Sequence, residues 1–443
     1  MTTKEHLSKN WTLAYPVMLS QVGHMMVGVA DSIMVGQLGT VPLAAVSLGN
    51  SVFSVVMLFG IGVSYGMTPL IARADGGNDK KMSASVLKHG LLLNGLLGVL
   101  LLGLCIGLSY VFPYLDQDAE VLNGALPYFL VLSASVVPLM FFQTGRQFAE
   151  GLSMTRQAMF ISISGNILNV ILNYILIFGK FGVEPQGLIG AGYATLTMRL
   201  FMPVVMGFYI LYSTRLKKYR AVFKGVQWDK TIFLRILKIG APSGFQYVFE
   251  VGAFGAAAIM IGWFGAVPLA AHQIALNLSA ITYMAATGLA AAGSIRMGNQ
   301  LGRKDYKTLK EAGWTLFGMV FLMMIVFGFV FVIFRATLPL LYIDEPEVIQ
   351  LASWLMVIAA LFQVSDGLQS VGLGVLRGLS DVKVPTIVTF ISYWVVAIPG
   401  GYLLGVYMDL GAIGVWIGLS VGLTLAALSH MSRFYQITAR FPT

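Results

Sequence analysis

The stretch MVGQLGTVPLAA at residues 34–45 recurs as MIGWFGAVPLAA at residues 260–271, an offset of 226 positions. The same offset, without a gap, relates Pro16 to Pro242, Gly62 to Gly288, Gly76 to Gly302 and Asp79 to Asp305. Further along, EGLSMTRQ (150–157) lies opposite RGLSDVKV (377–384) at 227, and GLIGAG (187–192) opposite GAIGVW (411–416) at 224. So small a drift over half a chain marks an internal duplication.

Both copies are strongly apolar. Of 443 residues, 57% are hydrophobic and only 11% charged, against about 25% charged in a soluble domain. Mean hydropathy is +0.80. A bilayer span takes about 20 apolar residues. Twelve such segments are legible, at roughly 11–34, 50–72, 87–112, 122–145, 157–179, 188–212, 237–262, 274–295, 312–334, 348–372, 384–407 and 411–432. Six fall in each copy, and an even number gives both copies the same orientation, as in parallel-repeat transporters. The sequence therefore predicts an all-α integral membrane protein with twelve transmembrane helices in two parallel six-helix lobes. The lobes are residues 1–215 and 237–443, joined by a basic cytoplasmic linker at 216–236. The first segment lacks a small-residue cleavage site and reads as a retained span. Cys105, the only cysteine, lies in an apolar run and cannot form an internal disulfide.

Basic residues collect at one set of loops: Arg73, Lys80, Lys81, Lys88, Arg146, Arg156, the 213–238 cluster, Arg296, Arg303, Lys304, Lys307, Lys310, Arg377 and Lys383. The opposite loops carry Lys180 and Arg335 with Asp116, Asp118, Glu120, Asp344, Glu345 and Glu347. The positive-inside rule then places both termini in the cytoplasm. Because the charges hug the span ends, the formal net charge of +9 reports topology and not nucleic-acid binding.

Four charges fall inside spans: Asp31, Arg199, Glu250 and Asp366. Each costs about 2.5–3.5 kcal/mol on insertion scales, and such residues commonly face a cavity or ion path. Structural ion pairing is the competing reading, and Arg199 can also snorkel. Asn169 and Asn173 share one helix face four residues apart, and Ala191 and Thr195 lie a turn apart in the next span. With Asp31 they make a hard-oxygen set that can hold Na⁺ or let Asp31 take a proton. The two Asn can equally be interhelical hydrogen-bond glue. Across the repeat Glu250 aligns with His24, Asp366 with Leu139 and Asp31 with Ala257. Gly414, Gly418 and Gly422 form a small-residue face for close helix packing, and His272, in the loop AAHQ, reads as a polar loop residue or an outer gate. GVSYG (62–66) fits a serine-nucleophile pattern but lies inside a span, so no enzyme is expected.

YPVMLSQ, ADSIMVGQLG, LAAVSLGNS and LNVILNYILIFGKFGVEPQGLIGAGYAT in the first half carry a family likeness. So do APSGFQYVFEVGAF, AAHQIALN, VLRGLSDVKVP and FISYWVVAIPGGYLLG in the second. On these the chain resembles the multidrug and toxic compound extrusion (MATE) transporters, in their NorM-like branch. The resemblance implies a V-shaped twelve-helix fold in the bacterial inner membrane. It also implies export of cationic amphipathic drugs and dyes in exchange for Na⁺ or H⁺, with no cofactor beyond the coupling ion. Asp31, with Asn169, Asn173, Ala191 and Thr195, then matches the N-lobe coupling site, and Glu250 and Asp366 match the C-lobe acids. Some relatives carry Asp where this chain has Asn173, so its N-lobe set holds one negative charge and not two. The expected partners are cationic small molecules and membrane lipid, with the chain acting as a monomer. A flippase for a lipid-linked sugar is the alternative on the same scaffold. It should line its cavity with several Arg or Lys, and only Arg199 is available.

Overall fold

The computed structural model describes residues 2–114 and 117–442, so Asp116 lies outside the described residues. Among the described residues, twelve helices are long and apolar enough to cross a membrane: α1 Thr3–Gly36, α2 Thr40–Gly76, α3 Lys80–Ser109, α4 Ala119–Gly151, α5 Thr155–Phe178, α6 Gly187–Tyr212, α7 Lys230–Gly262, α8 Ala266–Arg303, α9 Tyr306–Ile333, α10 Pro346–Gly378, α11 Lys383–Tyr407 and α12 Gly411–Ala439. Most outrun the apolar windows read from sequence, because a helix continues past the hydrocarbon wherever its polar ends reach water. α3 and α9 begin on matching caps: Asp79 Oδ1 accepts from Met82 N at 2.8 Å, and Asp305 Oδ1 from Thr308 N at 3.1 Å. Each satisfies one of the amide groups left open at a helix start.

The duplication reappears in the packing. α4 packs on α2, α3 and α6, while α10, six helices later, packs on α8, α9 and α12. Three spans are not uniform α-helix. α2 breaks at Tyr65–Gly66, and α4 breaks at Ser135. α11 is π-helical over Ile391–Ala397 and Leu403–Tyr407. Its backbone lies on the Gly414–Gly418–Gly422 face of α12, where a Cβ on Gly418 would sit 2.3 Å from Gly401 N. The small-residue stripe thus packs within the chain.

Contacts divide the chain into two compact units, Leu19–Gly244 and Met1–Met18 with Phe245–Thr443. They change over inside α1 and α7 and not at the 216–236 linker. Helical hydrogen bonding runs on past Pro16 and Pro242 while the side-chain neighbours change. Ala14 and Met18 press on Gly288 of α8. Asn10 Oδ1 accepts from Arg296 Nη1 at 3.0 Å, and His6 Nε2 lies 3.1 Å from Glu311 Oε2. In the other unit Gly240 of α7 rests on Val63 so closely that a Cβ would fall 2.1 Å from its carbonyl oxygen. His272 corrects the sequence reading. It is fully buried within α8, where Trp416 Nε1 donates to its Nδ1 at 3.1 Å.

The linker is folded onto the Leu19–Gly244 unit. A short helix, Lys217–Phe223, buries Tyr219, whose hydroxyl donates to Asp75 Oδ1 at 2.8 Å. Lys88 Nζ donates to Val226 O at 2.6 Å, Asp229 N to His89 Nε2 at 2.8 Å, and Trp228 stacks on the same imidazole at 4.8 Å. The Thr231 backbone amide, 2.7 Å away, and then the Thr231 hydroxyl hold the Asp229 carboxyl below the usual carboxylate range. A depressed carboxylate contributes stability above its unfolded pKa of about 3.9, and that contribution is lost as pH falls through the lower folded value. Limited proteolysis of the linker by an acid-active protease that also cuts at neutral pH is therefore expected to speed up below about pH 4. Asp229→Ala, which removes the accepting oxygen, should make cleavage fast at neutral pH as well; equal cleavage of variant and wild type at pH 7 would refute the role given to this cap.

Candidate functional site

Asp31 lies on α1, five residues before the helix ends at Gly36. The α5 asparagines reach it because a four-residue step returns to one helix face. Asn173 Nδ2 donates to Asp31 Oδ1 and, at 3.2 Å, to Asn169 Oδ1; Asn169 Nδ2 donates to Thr195 Oγ1 of α6 at 3.3 Å. Four of the five residues named from the sequence thus form one hydrogen-bonded chain. Ala191, the fifth, is buried one turn before Thr195 and has no side-chain polar atom to offer. Both N–H groups of Asn173 point at oxygens, which suits an acceptor-only carboxylate. Asn173 Oδ1 is buried and has no partner. A cation bound by oxygens would need that atom turned toward Asp31, a rotation of one amide.

Arg199 is buried on α6 and does not pair with Asp31. Its Nη1 donates to Ser135 Oγ at 2.7 Å, Nη2 lies 3.4 Å from Met57 Sδ, and the guanidinium sits 4.9 Å from the Phe53 ring centre. Cation–π contact and one hydroxyl hold the guanidinium in place, with Asp31 acting on it through space. The Ser135 contact falls at the break in α4, where the interrupted helix presents that side chain.

In the other unit, Glu250 of α7 and Asp366 of α10 are both buried and close enough to act on each other through space. Tyr283 of α8 and Gln369 of α10 present their polar ends to Glu250. Asp366 Oδ1 and the Tyr393 hydroxyl of α11 are buried without a partner. An aromatic wall flanks the group, with Phe254 packed edge-on to Phe362 at 6.0 Å and to Tyr393 at 6.1 Å. The ion pairs Arg146–Glu150 and Arg433–Asp381 and the His6–Glu311 contact, among the described residues, include none of Asp31, Glu250 and Asp366.

Sequence reasoning passed over Tyr283, Gln369, Tyr393 and Ser135. Gln369 carried a usable signal, since it stands three residues after Asp366 and so shares its face. The others had none, because nothing in an apolar run distinguishes a tyrosine facing an acid from one facing lipid.

The MatE family model matches residues 16–175 and 242–403, two blocks whose starts are 226 positions apart, the offset of the internal repeat. The multidrug resistance protein NorM of Photobacterium profundum is 34% identical over 430 residues, covering 96% of this chain and 94% of that one. The crystal structure of the eukaryotic MATE transporter AtDTX14 superimposes with a TM-score of 0.88 at 22% identity, over 99% of this chain and 98% of the other. The outward-facing structure of a multidrug resistance MATE family transporter gives 0.90 at 24%, over 98% and 96%. At such identities the solved structures speak for the fold alone. The family match in both halves and the near end-to-end NorM relative settle the kinship: the chain belongs to the MatE family, as a NorM-like MATE transporter spanning the membrane many times.

Proposed function

We propose that this chain is a secondary antiporter of the bacterial inner membrane, with both termini cytoplasmic. In this reading it expels cationic, amphipathic small molecules in exchange for inward H⁺ or Na⁺. The NorM relative supports the multidrug part. The observation that carries the coupling part is that, among the described residues, no basic side chain stands in ion-pair contact with Asp31, Glu250 or Asp366, Arg199 acting on Asp31 through space alone. An acid within a span and without a permanent ion-pair partner attracts either a cationic substrate or the coupling cation. Drug and ion need not touch; each has only to favour a different state of the transporter. Inward movement of one charge supplies about 2.3 kcal/mol per 100 mV. The flippase alternative gains nothing from Arg199, whose guanidinium is committed to Ser135, Met57 and Phe53.

The test is efflux of a fluorescent cation from vesicles holding the purified protein, with pH and Na⁺ gradients imposed separately. At least one gradient should accelerate efflux, and an ionophore that collapses it should abolish the effect. Efflux indifferent to both gradients overturns antiport.

A further inference from the structure

Asp366 stands twelve residues before Gly378, the end of α10, which is about 18 Å of helix. Polar side chains fill that interval. Gln369, one turn on from Asp366, is fully buried. At the next turn Gly372 admits α12 so closely that a Cβ there would lie 2.6 Å from His430 Cβ. His430 is also fully buried, its ring beside the backbone carbonyls of Gln369 and Pro385 without closing a hydrogen bond to either. One turn further, Arg433 Nε donates to Asp381 Oδ2 at 2.7 Å, with those side chains 31% and 18% exposed. A parallel line runs on α7, where Gln246, one turn before Glu250, donates to Thr386 Oγ1 at 2.9 Å.

The duplicated frame supplies the control. At the local offsets of 227 and 224, Asp366, Gln369, Gly372 and His430 correspond to Leu139, Phe142, Gly145 and Met206. Gly145 meets Met206 as Gly372 meets His430, with a Cβ 2.3 Å from Met206 Cγ. Leu139, Phe142 and Met206 belong to one buried apolar cluster. The seam is therefore satisfied by apolar side chains in one unit and replaced by acid, amide and imidazole in the other. A buried polar group left unpaired costs about 1–3 kcal/mol, so packing alone does not explain the exchange.

We infer that His430, with Gln369 beside it, carries protons between the Glu250–Asp366 pair and the membrane face bearing Asp381 and Arg433, cytoplasmic in the proposed orientation. The O–H bond of the protonated acid breaks as an intervening water takes that proton and gives up one of its own, which forms an N–H bond on one ring nitrogen. The opposite N–H releases its proton toward Asp381 and bulk water, leaving a carboxylate and a neutral ring that rotates to reset. Besides Asp381, charged or titratable groups on the elements around the ring include Tyr247 and Glu250 on α7, Asp366 and Arg377 on α10, Lys383 and Tyr393 on α11 and Arg433 on α12.

This rests on the antiport reading and is tested in proteoliposomes loaded with a pH-sensitive dye. His430→Met installs the residue of the other copy, so the seam is expected to stay packed. Affinity for a fluorescent cation should remain within two-fold, while proton-coupled transport slows at least ten-fold. His430→Ala should slow it equally and regain several-fold with added imidazole, its pH profile then following the free imidazole. Wild-type rate and pH profile in His430→Met, in a protein that Asp366→Asn inactivates, overturn the inference while antiport stands. Loss in His430→Ala without imidazole rescue also overturns it, as does a wild type driven by Na⁺ alone. A wild type indifferent to both gradients instead removes antiport itself.

Discussion

Asp31→Asn is expected to collapse the steady-state cation gradient that vesicles containing the protein can build. The variant keeps an oxygen to accept from Asn173 Nδ2, so the hydrogen-bonded chain to Asn169 and Thr195 survives. Only the charge goes. One fewer coupled cation at 100 mV forfeits about 2.3 kcal/mol, which is roughly a forty-fold lower concentration ratio at about 1.4 kcal/mol per decade. The measurement is the dye accumulation ratio at fixed membrane potential, and an unchanged ratio removes Asp31 from coupling. Asn173→Asp should act in the opposite sense. A second carboxylate beside Asp31 adds the charge that Na⁺ requires, so Na⁺-driven efflux should rise relative to pH-driven efflux.

Glu250→Gln and Asp366→Asn are expected to weaken binding of a monovalent cationic dye by about two orders of magnitude each. A unit charge about 6 Å from a carboxylate gains about 2.8 kcal/mol at an effective dielectric constant of 20. The amide replacements remove that attraction while preserving volume, and the new amide on α7 can still meet Tyr283 and Gln369. Because the two acids act on each other, the loss in the double variant should differ from the sum of the singles, a non-additivity expected of neighbours. Equilibrium dye titration of the three variants checks this. Additive losses would place the two carboxylates in separate sites.

Much of this architecture was legible before any coordinates. The offset of 226, the twelve apolar segments and the isolated acids are local properties, readable wherever a residue's cost depends on its surroundings being lipid. The pairing of Asn169 with Asn173 was equally local, since helical periodicity alone sets it. Arg199 was not, because its partner Ser135 lies 64 positions away at a helix break that composition does not mark. His272 was misread for a related reason. A polar residue in an apolar stretch looks like a loop unless its distant partner, Trp416, is known.

The chain's order of residues thus determined the duplication, the number of spans and which side chains would be expensive in lipid, for each follows from counting along the backbone. Tertiary structure alone decided that α1 and α7 each divide their residues between the two units, that Glu250 and Asp366 act on each other, and that a histidine of α12 stands where the other copy keeps methionine against the corresponding glycine. Those facts depend on contacts between helices far apart in sequence, and no periodicity within one helix encodes which neighbour it will face.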